Sequence, residues 1–194
     1  MSTAPPSRTD GAGDTRGRLI EVAIDPFTRH SFAGTSLQMI ADELGFTKAA
    51  IYHHFRTREQ LLTAVLEPII GELRAVVDDA ETRRGAHARA ERMLDGYARV
   101  AVRYPVLISV LAADPGVHSV LRANPDWTDM IARQLALLAD IDPGPQGMIR
   151  ARFVFAGIAG SSAQRGAVDE QWLHRHLVDT GRRTLGLRAP RRSS

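Results

Sequence analysis

Residues 35–55 read TSLQMIADELGFTKAAIYHHF, and two short helices joined by a tight turn are written into them. Leu37, Ile40, Ala41 and Leu44 recur at spacings of three and four, one apolar face of a helix. Thr35 and Gln38 stand three apart as a capping box at its start, and Gly45 offers the positive φ that a turn after it needs. Thr47 caps a second helix of about two turns, in which Ala50 and Ile51 face inward. Ala41 is small enough for the two helices to cross closely. The outward residues of the second helix are polar, aromatic or tiny. Lys48 and Arg58 add charge, Tyr52 adds a hydroxyl on a rigid ring, and the helix start offers free amides to a phosphate. A helix-turn-helix has this form, and such a helix fits the major groove of DNA.

Outward from this stretch the chain stays helical in pattern. Residues 1–13 are rich in Ser, Thr, Pro and Gly without periodicity and read as a disordered tail. Asp14 caps a helix carrying Leu19, Ile20, Ala23, Ile24 and Phe27, and Pro26 within it should kink or end it. Thr57 and Gln60 form a second capping box, opening a helix through Leu61, Leu62, Val65 and Leu66 that Pro68 kinks or splits. Further helices are expected near 86–103, 105–112, 124–140, 146–164 and 169–186, separated by Pro- and Gly-bearing breakers at 104–105, 114–116, 124–125 and 142–145. No stretch alternates with period two, so no sheet is expected. Residues 188–194 form a basic tail.

Composition narrows the function classes. The chain has 194 residues, 44% hydrophobic and 24% charged, as in a soluble globular protein. No apolar run approaches the about 18 residues that span a bilayer, and no signal peptide is visible. Cysteine is absent, which removes disulfides and thiolate chemistry and suits a cytoplasmic home. The net charge of +3 is a weak hint of an anionic partner. Its placement says more: no acid lies between Glu43 and Glu59, where Lys48, Arg56 and Arg58 stand with His53 and His54. Phosphate-binding loops, dinucleotide fingerprints, nucleophile elbows and zinc-protease helices are missing, so the chain reads as a non-enzyme without cofactor.

The run TSLQMIADELGFTKAAIYHHFRTREQLL, with its IA-x-x-x-G core, the small residues before Tyr52, the Tyr52–Phe55 pair and Leu61-Leu62, resembles the first-domain signature of the TetR family of bacterial transcriptional regulators. The likeness covers residues 14–66; beyond them it rests on length and helical pattern. Carried over residue by residue, it implies phosphate contacts from Thr35 or Ser36, Tyr52 and Arg58, with Thr47, Lys48, Ala49, His53 and His54 along the groove. Simpler roles compete: the threonines cap helices in any protein, Lys48 is a solvated charge, and Phe55 is core. Adjacent His53 and His54 point about 100° apart on a helix, which disfavours a metal. The chain departs from the family in having His30-Ser31 where a glycine commonly ends the first helix, Pro26 for an aliphatic residue, Arg58 for lysine, and Ala49 for glycine or another small residue. A left-handed helix end without glycine costs local stability.

The resemblance implies an all-α fold: a disordered tail at 1–13, a three-helix DNA-binding domain at 14–66 with its motif at 35–54, a helical effector-binding and dimerisation domain at 67–187, and the tail from 188. The expected function is a one-component repressor, released from an inverted-repeat operator in double-stranded DNA by a mostly apolar small molecule. Met93, Tyr97, Tyr104, Leu107, Trp127, Ile131 and Phe153, large or adaptable apolar residues on the middle helices, are the candidate pocket. Ala156, Gly157, Gly160, Trp172, Leu173 and Leu177 on the last two helices are the candidate homodimer interface, with ordinary core packing as the competing role. A helical interaction protein, or a constitutive regulator without a ligand, is the alternative function.

Overall fold

The computed structural model describes residues 9–163 and 168–187, with side chains from Thr15 onward; residues 1–8 of the expected tail and the basic tail 188–194 lie outside the described residues. Ten helices and no strand occur among the described residues, so the fold is all-α. The chain divides between Glu67 and Pro68 into two units.

The N-terminal unit holds α1 (Thr9–Gly34), α2 (Leu37–Glu43), α3 (Lys48–His54) and the start of α4 (Arg58–Glu81). α1 starts ahead of Asp14, so residues 9–13 are helical and Asp14 lies inside the helix rather than at its start. Pro26 does not end α1, because its one missing amide bond is offset by burial of Pro26 and Phe27. The break comes instead at Ser31, at φ 61 and ψ 166, a region that glycine enters freely and a side chain does not. Leu19, Ala23, Phe27, Phe32, Ile40, Ile51, Phe55, Leu61 and Leu62 form this unit's core.

The C-terminal unit continues α4 and adds α5 (Ala86–Arg103), α6 (Pro105–Ala113), α7 (Pro115–Arg122), α8 (Pro125–Ala139), α9 (Pro145–Ala163) and α10 (Glu170–Leu185). α4 passes Pro68 without splitting. α7 was not expected, since Asp114-Pro115-Gly116 reads as a breaker. It is a helix start: the Asp114 carboxylate accepts from the amides of Gly116 (2.8 Å) and Val117 (3.2 Å), and Pro115 takes the first helical position, where no amide bond is lost. Asn124 and Pro125 open α8 in the same way.

α5 is the central helix, packed against α8, α9 and α10, with Ala90, Met93, Leu94, Tyr97, Ala98 and Ala101 buried. Two glycines let helices approach closely: a Cβ at Gly96 would strike Val76, and one at Gly181 would strike Leu94 and Val154. Arginines tie the helix ends together. Arg133 bonds Asp78 (2.9 Å) and Glu81 (2.6 Å), Arg89 meets Asp140 at 2.5 Å, Arg92 reaches Asp79, and Arg182 reaches Glu91. No single helix among the described residues is long and apolar enough to cross a membrane.

Candidate functional site

The geometry of residues 36–55 begins with its caps. The Ser36 hydroxyl oxygen accepts from the Met39 amide at 3.2 Å and starts α2; the Thr47 oxygen accepts from the Ala50 amide at 3.2 Å and starts α3. Between them Gly45 turns at φ 66, and the Phe46 amide donates to the Ala41 carbonyl at 2.8 Å. Leu37, Ile40, Ala41, Ile51 and Phe55 are buried beneath the pair. With its inner side held, α3 leaves Lys48, Ala49, Tyr52 and His53 in solvent, Thr47 exposed before them and His54 half-buried. Tyr52 is 43% exposed, and the Lys48 ammonium lies 5.7 Å from its ring centroid, which braces the lysine against the ring. The His53 and His54 rings meet edge to face, and among the described residues no three metal-ligating side chains converge.

Two expected contact residues are used inside the unit. Thr35 is 1% exposed and is not the cap of α2: its hydroxyl donates to the carbonyls of Ser31 (2.8 Å) and Pro26 (3.0 Å). It therefore stitches the broken end of α1 and cannot present its hydroxyl to a phosphate. Gln38, read as its reciprocal partner, bonds Asp42 instead. Arg58 also turns inward. Its Nη1 donates to the carbonyls of Phe32 (3.2 Å), Ala33 (3.0 Å) and Thr35 (3.4 Å), and its guanidinium lies 4.7 Å over the Phe32 ring. The orphan carbonyls at the end of α1 draw the cation to that place. Arg58 is thus reassigned from phosphate contact to clamp.

Sequence reasoning passed over Arg16 and Arg18. Both are exposed on α1; Arg16 lies 5.4 Å over the Phe55 ring and Arg18 lies 5.3 Å over the Phe46 ring. With Lys48 and Arg56 they are cations without a carboxylate partner among the described residues, whereas Arg29 is held by Asp25 and Glu43. Nothing in the local pattern signals this, since the aromatic partners lie far along the chain.

The C-terminal unit holds a cavity of about 380 Å³, lined by Leu73 of α4, Tyr97 of α5, Ile108 and Leu111 of α6, His118 and Arg122 of α7, Trp127 and Ile131 of α8, and Phe155 and Ala159 of α9, among others. Of the expected pocket residues it gathers Tyr97, Trp127 and Ile131. Four others are elsewhere. Met93 is fully buried core, Leu107 is buried outside the lining, and Tyr104 donates its hydroxyl to the Glu72 carboxylate at 2.7 Å. Phe153 is 73% exposed on the outer side of α9. The residue missed is Phe155, two positions on and therefore on another face; its ring stacks on Tyr97 at 4.3 Å and 5°. The Tyr97 hydroxyl donates to the Phe155 carbonyl at 3.3 Å, and burial pushes its pKa well up, so it stays neutral.

The candidate interface residues lie on the outer side of α9 and α10. Gly157 and Gly160 are exposed, and a Cβ at either meets nothing, so no helix of this chain uses them for close approach. Trp172 is 45% exposed and stacks on His176 at 3.7 Å; Leu173 and Leu177 are buried beneath. Ala156 is exposed and also lines the cavity edge. Ile149 (67% exposed) and Phe153 add two large apolar side chains on α9 that stand open to solvent.

Residues 19–65 match the model of the bacterial regulatory proteins of the tetR family. Among curated proteins, the HTH-type transcriptional repressor KstR2 of Rhodococcus jostii is 28% identical over 81 residues, 40% of this chain and 40% of that protein. The probable acrEF/envCD operon repressor of Escherichia coli is 41% identical over 61 residues, 30% of this chain and 28% of that protein. The chain thus spans less than half the length of these relatives. Among solved structures, the ketosteroid transcriptional regulator KstR2 of Mycobacterium tuberculosis superposes with a TM-score of 0.68 at 18% identity, over 88% of this chain and 93% of that one.

Proposed function

We propose that this chain is a transcriptional repressor of the TetR family, whose model its residues 19–65 match, that binds an inverted-repeat operator as a homodimer and lets go when a small molecule fills the C-terminal cavity. The observation that carries the DNA reading is the split of α3 into an inner side anchored by Ile51 and an outer side of Lys48, Ala49, Tyr52 and His53 in solvent. Ser36 and Thr47 fit the same role: each oxygen already accepts an amide proton, and each hydroxyl proton remains free to donate to a phosphate. Lys48 supplies charge, Tyr52 a phosphate contact, and Ala49 and His53 approach the bases, with Arg16, Arg18 and Arg56 available to the backbone alongside. The relatives named as repressors support repression over activation.

The apolar outer side of α9 and α10 suits a second copy of the chain, since a monomer seldom leaves residues as large as Phe153 and Ile149 this open together. Two-fold symmetry then presents two α3 helices to two half-sites. Release follows if the effector favours a state in which the half-site spacing is wrong, by its differential affinity for that state. α4 is the candidate link, because one helix carries Arg58 at its first residue and Leu73 in the cavity wall.

DNA selected by the protein from a random pool tests the reading: an inverted repeat is expected, and failure to enrich any sequence overturns it. On that DNA, Lys48→Ala should lower the slope of log affinity against log salt by about one. Tyr52→Phe should weaken all sequences alike. Phe153→Glu should yield monomers in sedimentation that bind DNA weakly.

A further inference from the structure

We infer that the C-terminal cavity is built for an amphipathic anion, a molecule with an apolar body and a single negatively charged head; this deepens the reading of that unit as a ligand sensor and rests on it. The body of the cavity is apolar: Leu73, Ile108, Leu111, Ile131 and the stacked Tyr97–Phe155 pair. One edge differs. His118 and Arg122 lie four residues apart on α7, so they share a face, and both line the cavity. Arg122 is exposed and has no carboxylate partner among the described residues, and no lining residue is an aspartate or glutamate. A guanidinium is charged at every accessible pH, so this edge carries an uncompensated positive charge beside an apolar hollow.

A second feature points the same way. Trp127 and Thr128, which also line the cavity, stand in the first turn of the fifteen-residue helix α8. The start of α8 is therefore part of the cavity wall and brings to it the partial positive charge of a helix N-terminus, offset in part by Asp126, which does not line the cavity. The side chains there can also bond a head group. His118 Nε2 donates to the Leu111 carbonyl at 2.7 Å, which fixes the ring at the cavity wall one helical turn from Arg122. Arg122 offers a planar fork that matches a carboxylate. A neutral apolar molecule would fill the hollow and leave Arg122 unused; a cation would be repelled by it.

Calorimetric titration of the full chain with decanoate, decanol and decyltrimethylammonium tests this, since the three share an apolar tail and differ in head charge. Decanoate is expected to bind about tenfold or more tightly than decanol, and the ammonium compound not at all. Arg122→Gln, a change at an exposed position, should bring decanoate down to the level of decanol and leave decanol unchanged. Equal binding of decanoate and decanol by the unaltered chain, preference for the ammonium compound, or no binding of any of the three overturns the inference. Release of the selected DNA is measured in parallel, so the two readings fail separately. Decanoate binding without DNA release would sink the sensor reading and leave the anion site standing; DNA release by decanol as readily as by decanoate would do the reverse.

Discussion

In the N-terminal unit most polar side chains find their partners within a turn of themselves: Ser36 with Met39, Thr47 with Ala50, Thr57 with Gln60, Thr28 with Ile24. The C-terminal unit has such local bonds too, at Asp114 and Asn124 for example, but adds a set that crosses tens of residues: Arg89 to Asp140, Arg133 to Glu81, Arg182 to Glu91, Tyr97 to Phe155. The first arrangement builds a rigid outline in which exposed residues keep fixed directions. The second holds helices by their ends and leaves space between them. A surface that reads a repeating polymer needs the one, and a hollow that admits a small molecule needs the other.

The contrast is open to experiment. Phe55 sits under both α3 and the Arg16 guanidinium, and Phe55→Ala should cost about 3–5 kcal/mol, read from the denaturant midpoint. A cost below about 1 kcal/mol would mean that the local bonds alone hold the outline.

Arg58 makes the longest reach in its unit, back across more than twenty residues. Arg58→Met should cost about 1.5–3 kcal/mol by orphaning carbonyls at the end of α1, and lysine should restore part of that. Unchanged stability with a lowered salt slope for DNA would return Arg58 to a phosphate.

Gln134 tests the other unit. It is fully buried, and its amide nitrogen and oxygen lack hydrogen-bond partners among the described residues. Gln134→Leu should raise stability by about 1–2 kcal/mol in thermal melts, since an unmet amide in an apolar setting is costly. A loss of stability would reveal a partner for that amide. Ser31→Gly should stabilise by about 1 kcal/mol by relieving the strained end of α1. No gain there would mean that the Gly34 amide bond to the Ser31 hydroxyl oxygen, which glycine removes, already compensates.

The smallest effect concerns acid. Hydrogen bonds from Arg133 hold the Glu81 carboxyl below its usual range, and those from Arg92 and then Arg83 do the same for Asp79. Folded values below unfolded ones mean stabilisation that is present above the ordinary carboxylate range and lost as pH falls through the lower folded values. The melting temperature should therefore decline below about pH 4, and Arg133→Gln should flatten the decline. A decline of the same size in the variant would assign it to other carboxylates.

What could be read from the chain alone were the features whose physics is local. Caps at Thr47 and Thr57, the turn at Gly45 and the apolar spacing of Leu37, Ile40 and Ile51 act over three or four residues, so composition and spacing state them. Even here the reading is off by one residue, with Thr35 expected as the cap and Ser36 found: the two are chemically alike, and only the bonds of Thr35 to Pro26 and Ser31 separate the stitch from the cap. The α7 start at Asp114 was legible in principle, since Asp-Pro-Gly serves turns and helix starts equally and only the helix that follows decides.

Tertiary structure decided the rest. Periodicity marks a residue as apolar on a face but does not say what the face meets. Met93 met other helices and became core, Phe155 met Tyr97 at a hollow, and Phe153 met solvent. Arg16, Arg18 and Arg58 are as cationic as any arginine in the sequence, and only the ring or carbonyl brought beside each gives it a task. The physical reason is the same in every case. Hydrogen bonds to neighbouring backbone are specified by the chain's own geometry, whereas the charge, shape and emptiness of a cavity are properties of surfaces that meet only after folding.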